Sequence, residues 1–179
     1  MRIADELYFA PGVRFADVQW DNPSLTEQLK KRITGFYLDP ARDLCGQGHA
    51  FAAGVLLVSC IDALARLQYG NGVGYRIIRY VRKEIPSLSP HAPCFYENFR
   101  NGLLHEARIM NGGQFSLVTA KTMDDSNGVL LINPRLLEQD VRESLDRWIS
   151  SLEDDDVKRQ GIANRLKKEF EEEIRMSRT

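Results

Sequence analysis

The hydrophobic pattern of the chain repeats mostly with the period of a helix. Ser24-Leu25-Thr26-Glu27 has the spacing of a capping box and opens a helix predicted to run to about Leu38, short of Pro40. Residues 40–49 read as a Gly-containing loop. Phe51 to Tyr69 is apolar on most sides, which predicts a central buried helix, and Gly70-Asn71-Gly72 terminates it. Val73 to Ile85 carries Ile77, Ile78, Val81 and Ile85 on one side and Arg76, Arg79 and Lys83 on the other. Pro86, Pro90 and Pro93 mark a loop, and a fourth helix is predicted from about Pro93 to Met110, ended by Asn111-Gly112-Gly113.

The period then changes. Phe115–Lys121 and Val129–Ile132 read as short strands around the turn Asp124-Asp125-Ser126-Asn127-Gly128. Asn133-Pro134 is an N-cap followed by proline at the first helical position. The helix it opens places Leu137, Val141, Leu145, Trp148 and Leu152 on one face. Glu153 to Asp156 interrupts the pattern, and a last charged helix carries the thin stripe Ile162, Leu166, Phe170 and Ile174, a width suited to docking on another surface. The fold class is therefore mainly α: one domain over 1–179, a helical bundle with one inserted β-hairpin near residues 115–132, and a peripheral charged helix over 157–179.

Composition alters this picture little. The chain is 43% hydrophobic and 27% charged with a net charge of -1, so total charge makes no case for nucleic acid or a membrane surface. Its distribution is uneven. Between Asp62 and Arg108 lie seven cations (Arg66, Arg76, Arg79, Arg82, Lys83, Arg100 and Arg108) against four anions (Asp62, Glu84, Glu97 and Glu106), a local +3. Three separated cysteines are no disulfide framework and predict a reducing, cytoplasmic setting. The N-terminus has no apolar signal core, and the apolar run at 51–69 contains Ser59, Cys60, Asp62 and Arg66, which reads as a core helix rather than a membrane span.

The densest chemistry is Phe99-Arg100-Asn101-Gly102-Leu103-Leu104-His105-Glu106. It combines a planar cation suited to phosphate oxygens, a carboxamide and an imidazole able to give and take a proton near neutrality. Arg100 and Asn101, followed by His105 in a small helical bundle, resemble the signature of the HEPN superfamily, over roughly residues 51–110. Active members of that family are mostly metal-independent endoribonucleases without a cofactor. The resemblance implies that Arg100 holds the scissile phosphate, that His105 serves as general acid or base while the ribose 2′-OH attacks, and that Asn101 orients one of them. It also implies a homodimer, RNA as substrate and, for toxin-like members, an antitoxin or other protein partner. Asp62 and Ser59 are candidate supporting residues, since an unpaired buried Asp62 is costly. An Asp62–Arg66 pair at i, i+4 is the plain alternative. Arg76, Arg79, Lys83 and Arg108 are candidate RNA contacts.

Helix geometry poses a problem for this motif. At about 100° per residue, Arg100 and His105 diverge by roughly 140°, while Asn101 and His105 share a face. A distortion at Gly102, or a second chain across a two-fold axis, would be needed to bring them together. Competing readings are a HEPN-like module that binds RNA or nucleotide without cutting it, and an adaptor that uses its C-terminal helix. A zinc site from Cys45, His49, His91 and Cys94 lacks a familiar spacing, and Cys94 beside His91 lacks the flanking signature of a nucleophile. Gly70 to Gly74 follows a helix rather than a strand and lacks the Lys-Ser/Thr of a phosphate loop.

Overall fold

A computed structural model describes residues 2–3, 6–70, 72–125 and 128–177. Asn71 of the expected helix terminator and Ser126 and Asn127 of the expected turn lie outside the described residues. The fold is mainly α with two small sheets. The chain divides into two compact units, residues 37–144 and residues 1–36 with 145–179.

In the second of these, strands β1 (Arg2–Ile3), β2 (Glu6–Ala10) and β3 (Val13–Arg14) form an antiparallel sheet. The β2–β3 turn is Pro11-Gly12, with Gly12 at φ +68°, a left-handed position that glycine takes at no steric cost. Helix α1 (Leu25–Ile33) starts where the sequence predicts, but not through a capping box: Ser24 is already helical and its hydroxyl bonds Gln19 instead. The guanidinium of Arg32 lies over the rings of Phe9, Phe36 and Phe170. The C-terminal segment breaks at Phe170 into α8 (Asp156–Glu169) and α9 (Glu171–Met176). Ile162 and Leu166 are buried, and the Phe170 ring packs edge-on against Phe9 and Phe15. Phe170 of the thin stripe is thus covered by this unit's own N-terminal segment.

The larger unit carries the candidate site. The helix expected to stop before Pro40 instead passes through a π-helical turn, Thr34–Leu38, into α2 (Asp39–Gly46), so 40–46 is helix rather than loop. Pro40 sits in the first turn of α2, where a missing N–H costs nothing. Helix α3 (Ala50–Tyr69) is the central one, with Leu57, Ile61 and Leu64 fully buried. It is long and apolar enough to cross a membrane by length and composition, yet half of that apolar window is buried within the protein. Helix α4 (Val73–Glu84) buries Ile77, Tyr80 and Val81. Asn133 caps α7 (Pro134–Glu153) as expected, its Oδ1 accepting the Arg135 N–H at 3.0 Å.

The inserted hairpin is present but narrower than its sequence pattern. Met123–Asp124 (β5) pairs antiparallel with Leu131–Ile132 (β6), and Gln114–Phe115 (β4) adds to the other edge of β6 in parallel. Residues 116–121 are not strand. Phe115 explains the added edge: its ring lies 5.3 Å from that of Phe99 and 6.4 Å from that of Phe51, so β4 is held by aromatic packing as much as by its ladder. A Cβ at Gly54 on α3 would overlap this ring.

Gly54→Ala gains up to about 1 kcal/mol of helix propensity but incurs an overlap worth about 1–3 kcal/mol. We expect a net loss of stability in urea unfolding that turns into a gain when Phe115→Ala clears the space. A loss of equal size in both backgrounds would contradict this packing.

Candidate functional site

The motif lies on a helix built from three geometries. An α-turn, α5 (Ala92–Cys94), leads into a π-helical segment, Phe95–Asn101, and that into α6 (Gly102–Glu106). π-Turns are rare, occur mostly as single turns and cluster at functional sites. Phe95, Asn98 and Phe99, at i, i+3 and i+4, all face inward, with the two rings stacked 6.0 Å apart. The helix is distorted at 95–101 and not at Gly102, where a regular α-turn begins, and the distortion does not join Arg100 to His105.

Gly102 answers a different constraint. The helix ends at Glu106, four residues earlier than the sequence predicts, because Ala107 turns left-handed at φ 53°. The chain then folds back over the helix: the N–H groups of Ala107 and Arg108 reach the Gly102 carbonyl, and the Met110 N–H reaches that of Asn98 at 3.0 Å. A Cβ on Gly102 would lie 2.5 Å from the Arg108 carbonyl oxygen. Asn98 closes the fold-back, accepting from the Asn111 side chain at 2.8 Å and donating to Cys94 Sγ at 3.0 Å.

Asp62 is the centre of the site. Its Oδ2 accepts from Arg100 Nε at 3.1 Å and Nη2 at 2.9 Å, and its Oδ1 accepts from Arg76 Nη2 at 2.7 Å. The side chains of Asp62, Arg76 and Arg100 are 18%, 11% and 13% exposed. Arg100 Nη1 donates onward to Asn101 Oδ1 at 3.1 Å. The arrangement is therefore Arg76–Asp62–Arg100–Asn101, with one carboxylate between two guanidiniums and a local charge of +1. Asp62 thus has charged partners on two other segments, Arg76 and Arg100. Ser59 does not join: its hydroxyl bonds the Val55 carbonyl of its own helix at 3.0 Å.

His105 lies beyond this chain of bonds. It is exposed on the last turn of α6, with no partner among the described residues, next to Leu104, which is itself 51% exposed. No hydrogen bond joins Arg100 to His105: the first points inward to Asp62, the second outward. Asn101, bonded to Arg100, stands four residues before His105, but no hydrogen bond joins it to the imidazole.

The candidate RNA contacts separate into two groups. Arg76 is buried and belongs to the Asp62 cluster. Arg79 is half-buried, and Lys83 and Arg108 are exposed. Arg76 stands four residues before Tyr80 and beside Ile77, a spacing that marks the inward face of α4 without naming Asp62 as its partner. Among the described residues no group of three or more His, Cys, Asp or Glu is placed to hold a metal ion, so Cys45, His49, His91 and Cys94 do not assemble into one site. Burial pushes the Cys94 thiol up, with the Asn98 hydrogen bond opposing, so the net effect is opposite to what an activated nucleophile needs.

No protein-family profile, curated protein or solved structure matches the chain.

Removing the shared carboxylate leaves two guanidiniums facing each other in a poorly solvated site. Asp62→Ala is expected to destabilise the protein by about 3 kcal/mol, the low end for breaking a buried pair because some solvent reaches the cluster. Arg76→Met should cost less, since the Asp62–Arg100 pair survives. Urea unfolding of the two variants checks the order, and equal losses would show that the cluster does not act as a unit.

Proposed function

We propose that the chain is a HEPN-like, metal-independent endoribonuclease that works as a homodimer. The observation that carries this reading is the division of labour along one helix: Arg100 is held by Asp62 with an edge turned to Asn101, while His105 stands exposed and unengaged one turn later. A guanidinium that stabilises growing phosphate charge works best when fixed beforehand, and a proton-transfer group must be accessible to substrate. The 2′-OH attacks phosphorus as its proton passes to a base, and the 5′-oxygen leaves as it takes a proton from an acid. The products are a 2′,3′-cyclic phosphate and a 5′-hydroxyl, with no oxidant, metal or cofactor consumed. DNA lacks the attacking hydroxyl.

The two proton transfers lie on opposite sides of the phosphorus, and each chain brings one imidazole in the motif. A two-fold pairing supplies both, and it brings the outward His105 of one copy towards the inward Arg100 of the other. The half-exposed Leu104 beside His105 gives that pairing an apolar rim. Three unpaired cysteines suit a cytoplasmic enzyme, and an antitoxin-like partner would act by covering this rim.

One observation favours a second reading. Asp62 occupies the Nε–Nη2 edge of the Arg100 guanidinium and Asn101 takes Nη1, which leaves less of it for a scissile phosphate, as suits a HEPN-like protein that binds RNA without cutting it.

The test is end-labelled RNA incubated with the protein in excess chelator. Cleavage to cyclic-phosphate ends is expected, lowered about 10²–10⁴-fold by His105→Ala and about 10²–10³-fold by Arg100→Ala, with both variants folded. An excess of His105→Ala mixed with the unsubstituted protein should lower the activity of the latter, because a mixed dimer holds only one of the two imidazoles that the proton transfers need. Cleavage that requires added metal overturns the proposal, and RNA bound but never cut favours the second reading.

A further inference from the structure

Helix α4 turns one basic residue inward and the rest outward, and the outward face has its own construction. Tyr75, Ile78, Arg79, Arg82 and Lys83, at spacings i, i+3, i+4, i+7 and i+8, share one side of the helix and line an open cleft of about 630 Å³. Tyr75 is 66% exposed, a large ring left in solvent. It is not loose. Arg79 lies over Tyr69 at 4.7 Å and over Tyr75 at 5.8 Å from the ring centroids, and its Nη1 donates to the Tyr75 hydroxyl at 3.1 Å. Tyr69 is anchored in turn by donating to Glu84 at 2.9 Å, and burial followed by that bond pushes its hydroxyl up to about 12, so it keeps its proton. Glu84, the one anion of the helix, is thereby directed to Tyr69, while Arg82 and Lys83 stay exposed beside Tyr75.

We infer that this face binds single-stranded RNA, with a base stacked on Tyr75 and the adjoining phosphates on Arg82 and Lys83. A solvated basic stripe needs no exposed aromatic. A held ring flanked by cations is what sequence-tolerant single-strand binding uses, since every base has a π-face and the backbone is uniformly anionic. A duplex keeps its base faces stacked inside and cannot use Tyr75. The inference rests on the ribonuclease reading for its choice of nucleic acid, and it names the form of substrate which that site would receive.

The probe is a fluorescent 2′-O-methyl oligouridine, which cannot be cut, titrated into the full chain by anisotropy, with a hairpin duplex of the same length as comparison. Tyr75→Ala is expected to weaken single-strand binding about tenfold, within the range for loss of one stacked base, while Tyr75→Phe retains it. Replacing Arg82 and Lys83 together by Gln should lower the slope of log affinity against log salt by about 1.4, or ~0.7 for each single-strand phosphate that no longer meets a cation. The inference is overturned if Tyr75→Ala binds like the unsubstituted protein, if the duplex binds as tightly as the single strand, or if the chain binds an acidic protein and no RNA. RNA cleavage that proceeds with unchanged KM in Tyr75→Ala sinks this inference and leaves the ribonuclease reading standing. Tyr75-dependent binding without cleavage does the reverse.

Discussion

A single carboxylate organises the candidate site. Asp62 joins three segments that are far apart in the chain: its own helix α3, helix α4 through Arg76, and the π-segment through Arg100. Burying three charges is expensive, and clusters of this kind can often be replaced by apolar residues without loss of stability. What Asp62 contributes is direction. It takes the Nε–Nη2 edge of Arg100 and thereby fixes where the remaining edge faces, towards Asn101. A second cluster in the same unit has the opposite balance: Arg142 sits between Glu138 at 2.5 Å and Asp39 at 2.9 Å. Charged groups inside this bundle are thus paired in small sets, although Arg76 Nε, within the Asp62 set, is buried without a hydrogen-bond partner.

The π-segment makes the Asp62–Arg100 contact compatible with the core. On a regular α-helix Arg100 would lie roughly 140° from Phe95, off the inward face that Phe95, Asn98 and Phe99 share; a wider turn brings it round towards that face. The fold-back after Glu106 then needs Gly102 for its carbonyl contact and leaves Leu104 and His105 on a protruding turn. The inward Arg100 and the outward His105 are consequences of the same local geometry.

Long amphipathic segments were legible in the sequence because their signal is summed over many residues: α3, α4 and α7 lie where periodicity predicts, and Asn133 caps α7. The errors fall where one local contact decides. Ser24 and Glu27 have capping-box spacing, yet Gln19 claims the serine hydroxyl. Pro40 reads as a stop, yet it falls in a first turn, where proline is accepted. Phe115 reads as the start of a long strand, but its ring is captured by Phe99 and Phe51 and the strand ends there. The π-turn has no compositional signature. Within the site, the residue types were legible and the pairings were not: a stripe of Ser59, Asp62 and Arg66 on α3 says that a charge needs a partner, but the partners stand 14 and 38 residues away.

Charge counting shows why the distinction matters. The surplus of +3 between Asp62 and Arg108 suggests one basic surface. In the fold, two of its arginines share Asp62 and lie mostly out of solvent, and Glu84 is held by Tyr69. The outward field then comes chiefly from residues such as Arg82, Lys83 and Arg108, which periodicity alone marks as an ordinary solvated face. Helix α4 spans both roles, since Arg76 fixes Asp62 on one side while Arg79 fixes Tyr75 on the other. A substitution on α4 that rotates or frays the helix would disturb the Asp62 cluster and the exposed tyrosine together. Side-chain truncations that leave the helix intact are what separate the two.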